Sequence, residues 1–385
     1  MRILRVAQKL YPDVKGGGTY HVHAMSRDQA AMGHDVTVLT VDRETSQPCQ
    51  EERAGYRIVR RPPTIDLLGN DISAGVSRYL CRADEFDVIH AHSHIYFSTV
   101  LAAVETRLAD APLAITNHGL QSQTAQEDVF EVYLRTVGRF VLNSADTVLS
   151  YTDEGRAQLV EYGVSSPVAV VHNGVDLERF AQDGPESDRV AGDPAVLFVG
   201  RLVDGKRPLD AVKAIAQFRE RRPDATLTIC GSGAKSAAVD EAATTLGIVD
   251  AVRQLGQVPY DMMPNLYRAA DVLLLPSRTE GFPRAVIEAL GCGTPVVTSD
   301  LDQLHSIVEG VGATAPVGDI AGFVSALDSV VDGTARDPRE AVSATYDWAD
   351  TVAKTTAVLQ RLADGEASES DDVQRDSTTS FRELL

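Results

Sequence analysis

The sequence predicts an α/β protein of two domains, each built on a parallel sheet, and three observations carry that expectation. Short apolar runs alternate with longer amphipathic stretches along the chain, the pattern of strands that feed covering helices. Glycines punctuate the ends of these segments. The length of 385 residues exceeds what one ordinary hydrophobic core organises, so the chain divides.

Taken in order, "RILRVA", "DVTVLT", "FDVIHA", "PLAIT", "DTVLS" and "PVAVV" read as the strands of the first half, with helical segments such as 19–32 and 123–143 between them. The polar stretch at 181–194 reads as a linker. "AVLFVG", "ATLTIC", "AVRQL", "DVLLLP" and "PVVTS" follow as the strands of the second half, each with a helix-like segment after it. The expected boundaries are a first domain over 1–183, a second over 193–345, a final helix over 346–364 and an acidic tail over 365–385. The tail is too poor in apolar residues to bury a core and is expected to be disordered.

The opening "MRILRVAQKLYP" is interrupted by Arg5 and Gln8 and reads as a buried first strand rather than a secretion signal, so a cytoplasmic location is expected. No stretch approaches the unbroken apolar run of about 20 residues that a bilayer span needs. Cys49, Cys81, Cys230 and Cys292 are scattered without a C-x-x-C pair, which suits reduced thiols and offers no zinc framework. A net charge of −19 with no basic stripe argues against a nucleic-acid partner. Only six of the 36 basic residues are lysine, and this acidic, lysine-poor balance motivates the hypothesis of a halophilic source.

Sheets of this kind place ligands outside the carboxyl ends of their strands, so the residues just after each strand matter most. After the first strand, Gly16, Gly17 and Gly18 lead into a helix at about Thr19, whose amides and dipole favour an anion. His90, His92 and His94 end one strand, and His118 with Gly119 ends another. No cysteine or carboxylate completes a metal set there, so they read as a polar wall facing a cleft, with His118 best placed to meet a substrate. In the second half Gly200 precedes Arg201 and Lys206, a forked donor and a point charge suited to a diphosphate. "CGSGAK" repeats that logic more weakly with Gly231 and Gly233. "PSRTEGFPRAVIEALGCGTPVV" then sets Glu280 and Glu288 on either side of a helix start.

With "GGGTYHV", "TNHG", "HNGVD" at 172–176, "GRLVDGK", "LGQVP" at 255–259 and the E-x7-E stretch in that order, the sequence resembles a GT-B glycosyltransferase of the large retaining family 4 over about residues 1–364. The resemblance implies two Rossmann-like domains facing across a cleft, with the helix at 346–362 crossing back to the first. It implies transfer of a sugar from a UDP- or GDP-sugar to an acceptor hydroxyl with the anomeric configuration kept, without a metal or other cofactor. It assigns Glu280 to hydroxyls of the donor sugar, Glu288 to the ribose, Arg201 and Lys206 to the diphosphate, and His118 to the neighbourhood of the transferred sugar. Gly16 and Gly17 match the loop that approaches phosphate and acceptor. On the same basis Gly200, Gly231, Gly281, Phe282 and Pro283 fall on the donor side, and His21, His92 and Asn117 on the acceptor side.

Pro283 and Arg284 depart from the family pattern, which often has glycine followed by apolar residues; Pro283 is expected within the first helical turn, at the loss of one phosphate donor. A literal D-x-D, Asp300 and Asp302, reads as a helix cap. The acceptor stays open among a sugar, a lipid-linked glycan and a small molecule. "FEVYLRTVGRFV" at 130–141 suits either core packing or a peripheral contact with the inner face of the plasma membrane. The alternatives are a nucleotide-sugar epimerase of the same fold, a non-catalytic sugar-nucleotide-binding subunit, and a nicotinamide dehydrogenase. The last is disfavoured because no G-x-G-x-x-G follows the first strand.

Overall fold

The computed structural model describes residues 1–42, 49–67, 70–120 and 127–366; the expected disorder of the tail lies outside the described residues. Contacts divide the chain into two compact units. The first holds Met1–His118, Leu134–Val171 and the residues from Val352 onward, and the second holds Gly119–Tyr133 and His172–Thr351.

The first unit carries β1 (Arg2–Ala7), β2 (Asp35–Val41), β3 (Gln50–Arg53), β4 (Tyr56–Arg61), β5 (Ile65–Leu67), β6 (Asn70–Ile72), β7 (Val88–His92), β8 (Leu113–Thr116), β9 (Thr147–Ser150) and β10 (Val168–Val170). Eight of them form one sheet in the order β10-β9-β8-β7-β1-β2-β4-β3, and β5 and β6 make a separate ribbon. Every pairing in the large sheet is parallel except β3 with β4 at its edge. Its helices are α1 (Gly17–Ala31), α2 (Ala74–Leu80), α3 (Phe97–Ala109), then, past α4 (Glu127–Tyr133) of the second unit, α5 (Arg139–Leu142) and α6 (Asp153–Glu161). Helix starts are chemically marked: Thr152 accepts from the amide of Gly155, and Asp153 and Glu154 place negative charge on the first turn of α6.

In the second unit β11 (Ala195–Val199), β12 (Thr226–Cys230), β13 (Val252–Gly256), β14 (Val272–Leu275), β15 (Val296–Ser299) and β16 (Gly312–Ala315) pair in parallel in the order β13-β12-β11-β14-β15-β16. Counted from the first strand of this sheet, that order is 3-2-1-4-5-6, the doubly wound arrangement whose direction reverses between β11 and β14. The helices are α7 (Pro208–Phe218), α8 (Ser236–Thr245), α9 (Met263–Arg268), α10 (Arg284–Gly291), α11 (Asp302–Val308), α12 (Ile320–Val331), α13 (Pro338–Ser343) and α14 (Trp348–Ala363). The unit's core sets Phe198, Phe218, Leu227 and Val272 against Phe323 and Leu327 of α12.

The final helix contributes to the first unit from Val352 onward, and its Val358, Leu359 and Leu362 join Ile3, Val36, Ile58 and Val88 in that unit's core. Residues 172–183, read from the sequence as part of the first domain, make their contacts inside the second unit. Val175 bridges to Asp347, and Arg339 donates to the carbonyls of Phe180 and Leu177. The stretch at 181–194 therefore lies within that unit. At Gly174 a Cβ would collide with the carbonyl of Asp347, which gives the "HNGVD" glycine a packing reason.

The helix expected over 123–143 is two short pieces, α4 and α5, joined by a wider turn at Leu134–Gly138, and residues 121–126 lie outside the described residues. Within 130–141, Leu134 and Val141 are buried while Val132, Val137 and Phe140 are exposed. Among the described residues no helix is long and apolar enough to cross a membrane.

Candidate active site

In the second unit the sequence-predicted charges gather where the strand order reverses. Gly200 and Arg201 follow β11, a short 3-10 turn at Asp204–Lys206 comes next, and the loop carrying Glu280 follows β14. Lys206 Nζ is paired with Oε1 of Glu280, whose side chain is almost wholly buried. The Glu280 carbonyl accepts from Gln303 Nε2, and the amide of Arg278 donates to the carbonyl of Gly205 at 2.8 Å, so the two loops hold each other. Arg201 is exposed, two residues past the end of β11.

Glu288 sits on α10 and is 5% exposed. Its Oε1 accepts from Tyr260 Oη at 2.7 Å and Arg284 Nε at 3.3 Å, and its Oε2 from Tyr267 Oη at 3.0 Å. Burial and the adjoining carboxylate push the Tyr267 phenol well above its usual range, so it stays a donor. Phe282 is buried with its ring 5.5 Å from that of Tyr346. Pro283 is the N-cap of α10, one place before the first turn where the sequence reading set it, so the amides of Arg284 and Ala285 open the helix.

One reading needs correction here. Asp300 and Asp302 do not cap a helix: the N-cap of α11 is Leu301, Asp300 Oδ1 meets His305 Nε2 at 2.5 Å, and Asp302 lies in the first turn. Gly231 and Gly233 have packing reasons, because a Cβ at either would collide with the carbonyl of Gly200 or of Leu202. Among the described residues no group of three or more His, Cys, Asp or Glu could hold a metal ion.

In the first unit the strand order reverses between β1 and β7, and the histidines cluster at that end of the sheet. His118 Nε2 lies 3.1 Å from His92 Nδ1, and its Nδ1 lies 3.0 Å from Tyr151 Oη. The ring of His21 packs edge-on to that of His118 with centroids 5.6 Å apart, and Gly18 lies beside His118 Nδ1, so the start of α1 reaches this cluster. Gly16 and Gly17, at the N-cap and first residue of α1, are exposed next to it. Burial holds the His118 ring down at about 4, so it is neutral near pH 7.

His90 and His94 are not part of a polar wall: both are fully buried. His90 Nε2 pairs with Thr116 Oγ1 at 2.7 Å and its Nδ1 lies 3.4 Å from Arg5. Burial brings His94 down to about 4, with Asn117 acting in the opposite direction. Arg5 carries the cluster deeper, donating to Ser26 Oγ at 2.7 Å and Gln29 Oε1 at 2.5 Å, while Gln29 Nε2 donates to Thr356 of α14 at 2.9 Å. Burial lowers the Arg5 guanidinium to about 9.

Residues 15–179 match the model described as Glycosyltransferase Family 4, and residues 181–346 the model described as Glycosyl transferases group 1. The chain is 32% identical over 350 residues to the D-inositol 3-phosphate glycosyltransferase of Kribbella flavida, covering 82% of each. The chain belongs to the family-4 glycosyltransferases. It is also 29% identical over 400 residues to the glycogen synthase of Mycobacterium tuberculosis, covering 94% of this chain and 95% of that one. In fold, this glycosyltransferase is similar to HepE of Anabaena, solved with UDP and glucose, with a TM-score of 0.77, 20% identity and coverage of 94% and 99%. Sucrose-phosphate synthase from Thermosynechococcus elongatus gives a TM-score of 0.75, 18% identity and coverage of 95% and 100%.

For this family-4 chain, each unit brings together its own share of the expected residues. Gly200, Lys206, Glu280 and Gly281 adjoin one another at the β11 and β14 ends, whereas Glu288 is enclosed by tyrosines and Arg284. His21, His92, Asn117 and His118 adjoin one another in the first unit, all but His118 being buried. Tyr151, Tyr260 and Tyr267 were not singled out in the sequence. Tyr151 carried one available signal, its place just after the strand "DTVLS".

Proposed function

We propose that this glycosyltransferase moves a sugar from a UDP- or GDP-sugar to an acceptor hydroxyl with retention of anomeric configuration and without a metal ion. The observation that carries the reading is the Lys206–Glu280 pair at the strand-order reversal between β11 and β14, where doubly wound sheets bind nucleotides. In this reading Arg201 and Lys206 hold the diphosphate, Glu280 accepts from hydroxyls of the donor sugar, and Glu288 accepts from the ribose. Charge builds on the diphosphate as the glycosidic bond breaks, so cations there stabilise the transition state more than the bound donor. His118 is assigned to the transfer step as a neutral hydrogen-bonding ring, in keeping with its half-buried place between His92 and Tyr151. Solved relatives in fold that hold UDP and UDP-glucose support a nucleotide-sugar donor.

The acceptor belongs to glycan or glycolipid assembly in this reading: a sugar, a lipid-linked glycan or a small polyol. Relatives named for glycogen synthesis and for glycosyl transfer to D-inositol 3-phosphate support a hydroxyl-bearing acceptor. The test is a thermal-shift screen of UDP- and GDP-sugars, since a bound donor raises the melting temperature by mass action, followed by product analysis with candidate acceptors. A donor that stabilises the protein and is consumed only with acceptor, giving a product of unchanged anomeric configuration, supports the proposal. Donor conversion without acceptor identifies an epimerase, and binding with no turnover identifies a non-catalytic subunit.

A further inference from the structure

A buried carboxylate that needs only neutralising is served by one cation, yet Glu288 has three donors on its two oxygens. Arg284, the cation among these three donors, is itself held from several sides. It is 9% exposed, its Nη1 donates to Asn173 Oδ1 and the carbonyl of Gly174 at 3.3 Å each, its Nη2 donates to Tyr260 Oη at 3.1 Å, and the guanidinium lies 5.6 Å from the centre of the Trp348 ring. All these residues belong to the second unit. Arg284 thus fixes two of the groups around Glu288 at once: the carboxylate and the Tyr260 hydroxyl that caps it.

We propose that Arg284 is a positioning residue for nucleotide recognition, holding Glu288 in the one orientation that leaves Oε2 with room for a ribose hydroxyl. The inference rests on the reading of Glu288 as the ribose-binding carboxylate and adds the group that sets its aim. A carboxylate offers about four lone-pair sites. Tyr260 and Arg284 take those of Oε1 and Tyr267 takes one of Oε2, so the remaining acceptor site is on Oε2. A planar guanidinium reaches Glu288, Asn173, Gly174 and Tyr260 together, which a single ammonium does not.

The experiment compares binding of UDP with 2′-deoxy-UDP, and of GDP with 2′-deoxy-GDP, to the full chain and to Arg284→Met, Arg284→Lys and Tyr267→Phe, by calorimetry. The wild type is expected to prefer the ribonucleotide by on the order of 10- to 100-fold, the effect of a hydrogen bond to a charged group. Arg284→Met is expected to bring that preference close to unity, with Arg284→Lys and Tyr267→Phe in between. Equal weakening of both nucleotides, with the preference kept, means a merely structural Arg284 and overturns the inference. If Arg284→Met does not fold, a preference kept in both other variants overturns it equally. A wild type that binds nucleotide with no preference for ribose instead defeats the reading of Glu288, an outcome distinct from the failure of Arg284.

Discussion

Lys206 Nζ meets Oε1 of Glu280 across the ends of two neighbouring strands, so this cation is already committed to a carboxylate before any donor arrives. On donor binding the ammonium is shared between Glu280 and the diphosphate, and its attraction to the latter grows as the leaving group gains charge. Lys206→Ala and Arg201→Ala are each expected to lower kcat by on the order of 100- to 1000-fold, with a smaller change in KM for donor. Arg201→Lys is expected to recover only part of the loss. Steady-state kinetics on folded variants decides it; a rise in KM with kcat unchanged would contradict leaving-group stabilisation.

The same substitution has a folding consequence. Lys206→Ala leaves the buried Glu280 carboxylate without its cation, and removal of one partner of such a pair costs about 3 kcal/mol. The double variant with Glu280→Gln is expected to regain melting temperature but not turnover, which differential scanning calorimetry and the transfer assay read separately.

His118 has both ring nitrogens engaged, by His92 and by Tyr151. Tyr151→Phe removes the partner that fixes one nitrogen while keeping the ring, and is expected to lower kcat about 10-fold with donor affinity unchanged. His118→Ala is expected to lose more turnover and still bind nucleotide diphosphate. Wild-type rates in His118→Ala would remove His118 from the transfer step.

Four histidines of the first unit, His90, His92, His94 and His118, are held by burial below their ordinary range, the last two at about 4. Above about pH 6.5 they are neutral in both the folded and the unfolded chain and contribute no pH dependence. Between about 6.5 and 4 the unfolded chain takes up protons that the folded chain refuses, so stability falls as pH falls, by up to about 1.4 kcal/mol per pH unit for each group. Melting followed from pH 7.5 to 4 is expected to show that decline, and a flat profile across the window would show that these rings protonate in place.

Arg201 and Lys206 supply positive charge at the proposed diphosphate position, and Asp300 of the literal D-x-D is occupied by His305. Turnover is therefore expected to survive exhaustive chelation. Loss on adding chelator, restored by a divalent ion, would overturn this.

The strands were legible because parallel, doubly covered strands are continuous apolar runs: all eleven runs read from the sequence are strands. Five strands were missed: in β4, "YRIVRR", arginines leave only Ile58 and Val59 as a run, and the other four have none. The strand "QEER" is a charged edge paired antiparallel, β5 and β6 form a small ribbon, and "GATA" is built of small residues. The candidate site was legible where it depends on position after a strand, as with Lys206 and Glu280. It was not legible where it depends on contacts between distant segments. Arg284 meets Asn173, 111 residues away, and Tyr260, 24 residues away, and no spacing rule announces either meeting. Alternation on β7 announced that His90 and His92 share a face, but only the packing of Arg5 and Thr116 shows that His90 is enclosed.

Val358, Leu359 and Leu362 complete the core around Ile3, Val36 and Val88, yet they are synthesised after every strand of the second unit. During translation the earlier unit therefore waits with an unfinished apolar face while the later unit is made. A fragment ending at Val171 is expected to bind a hydrophobic dye and to associate with itself, and addition of a peptide spanning 346–366 to reverse both. The order in which the chain leaves the ribosome thus makes the last helix the closing step of the first unit's assembly, and the nascent protein has reason to engage a chaperone until that helix emerges.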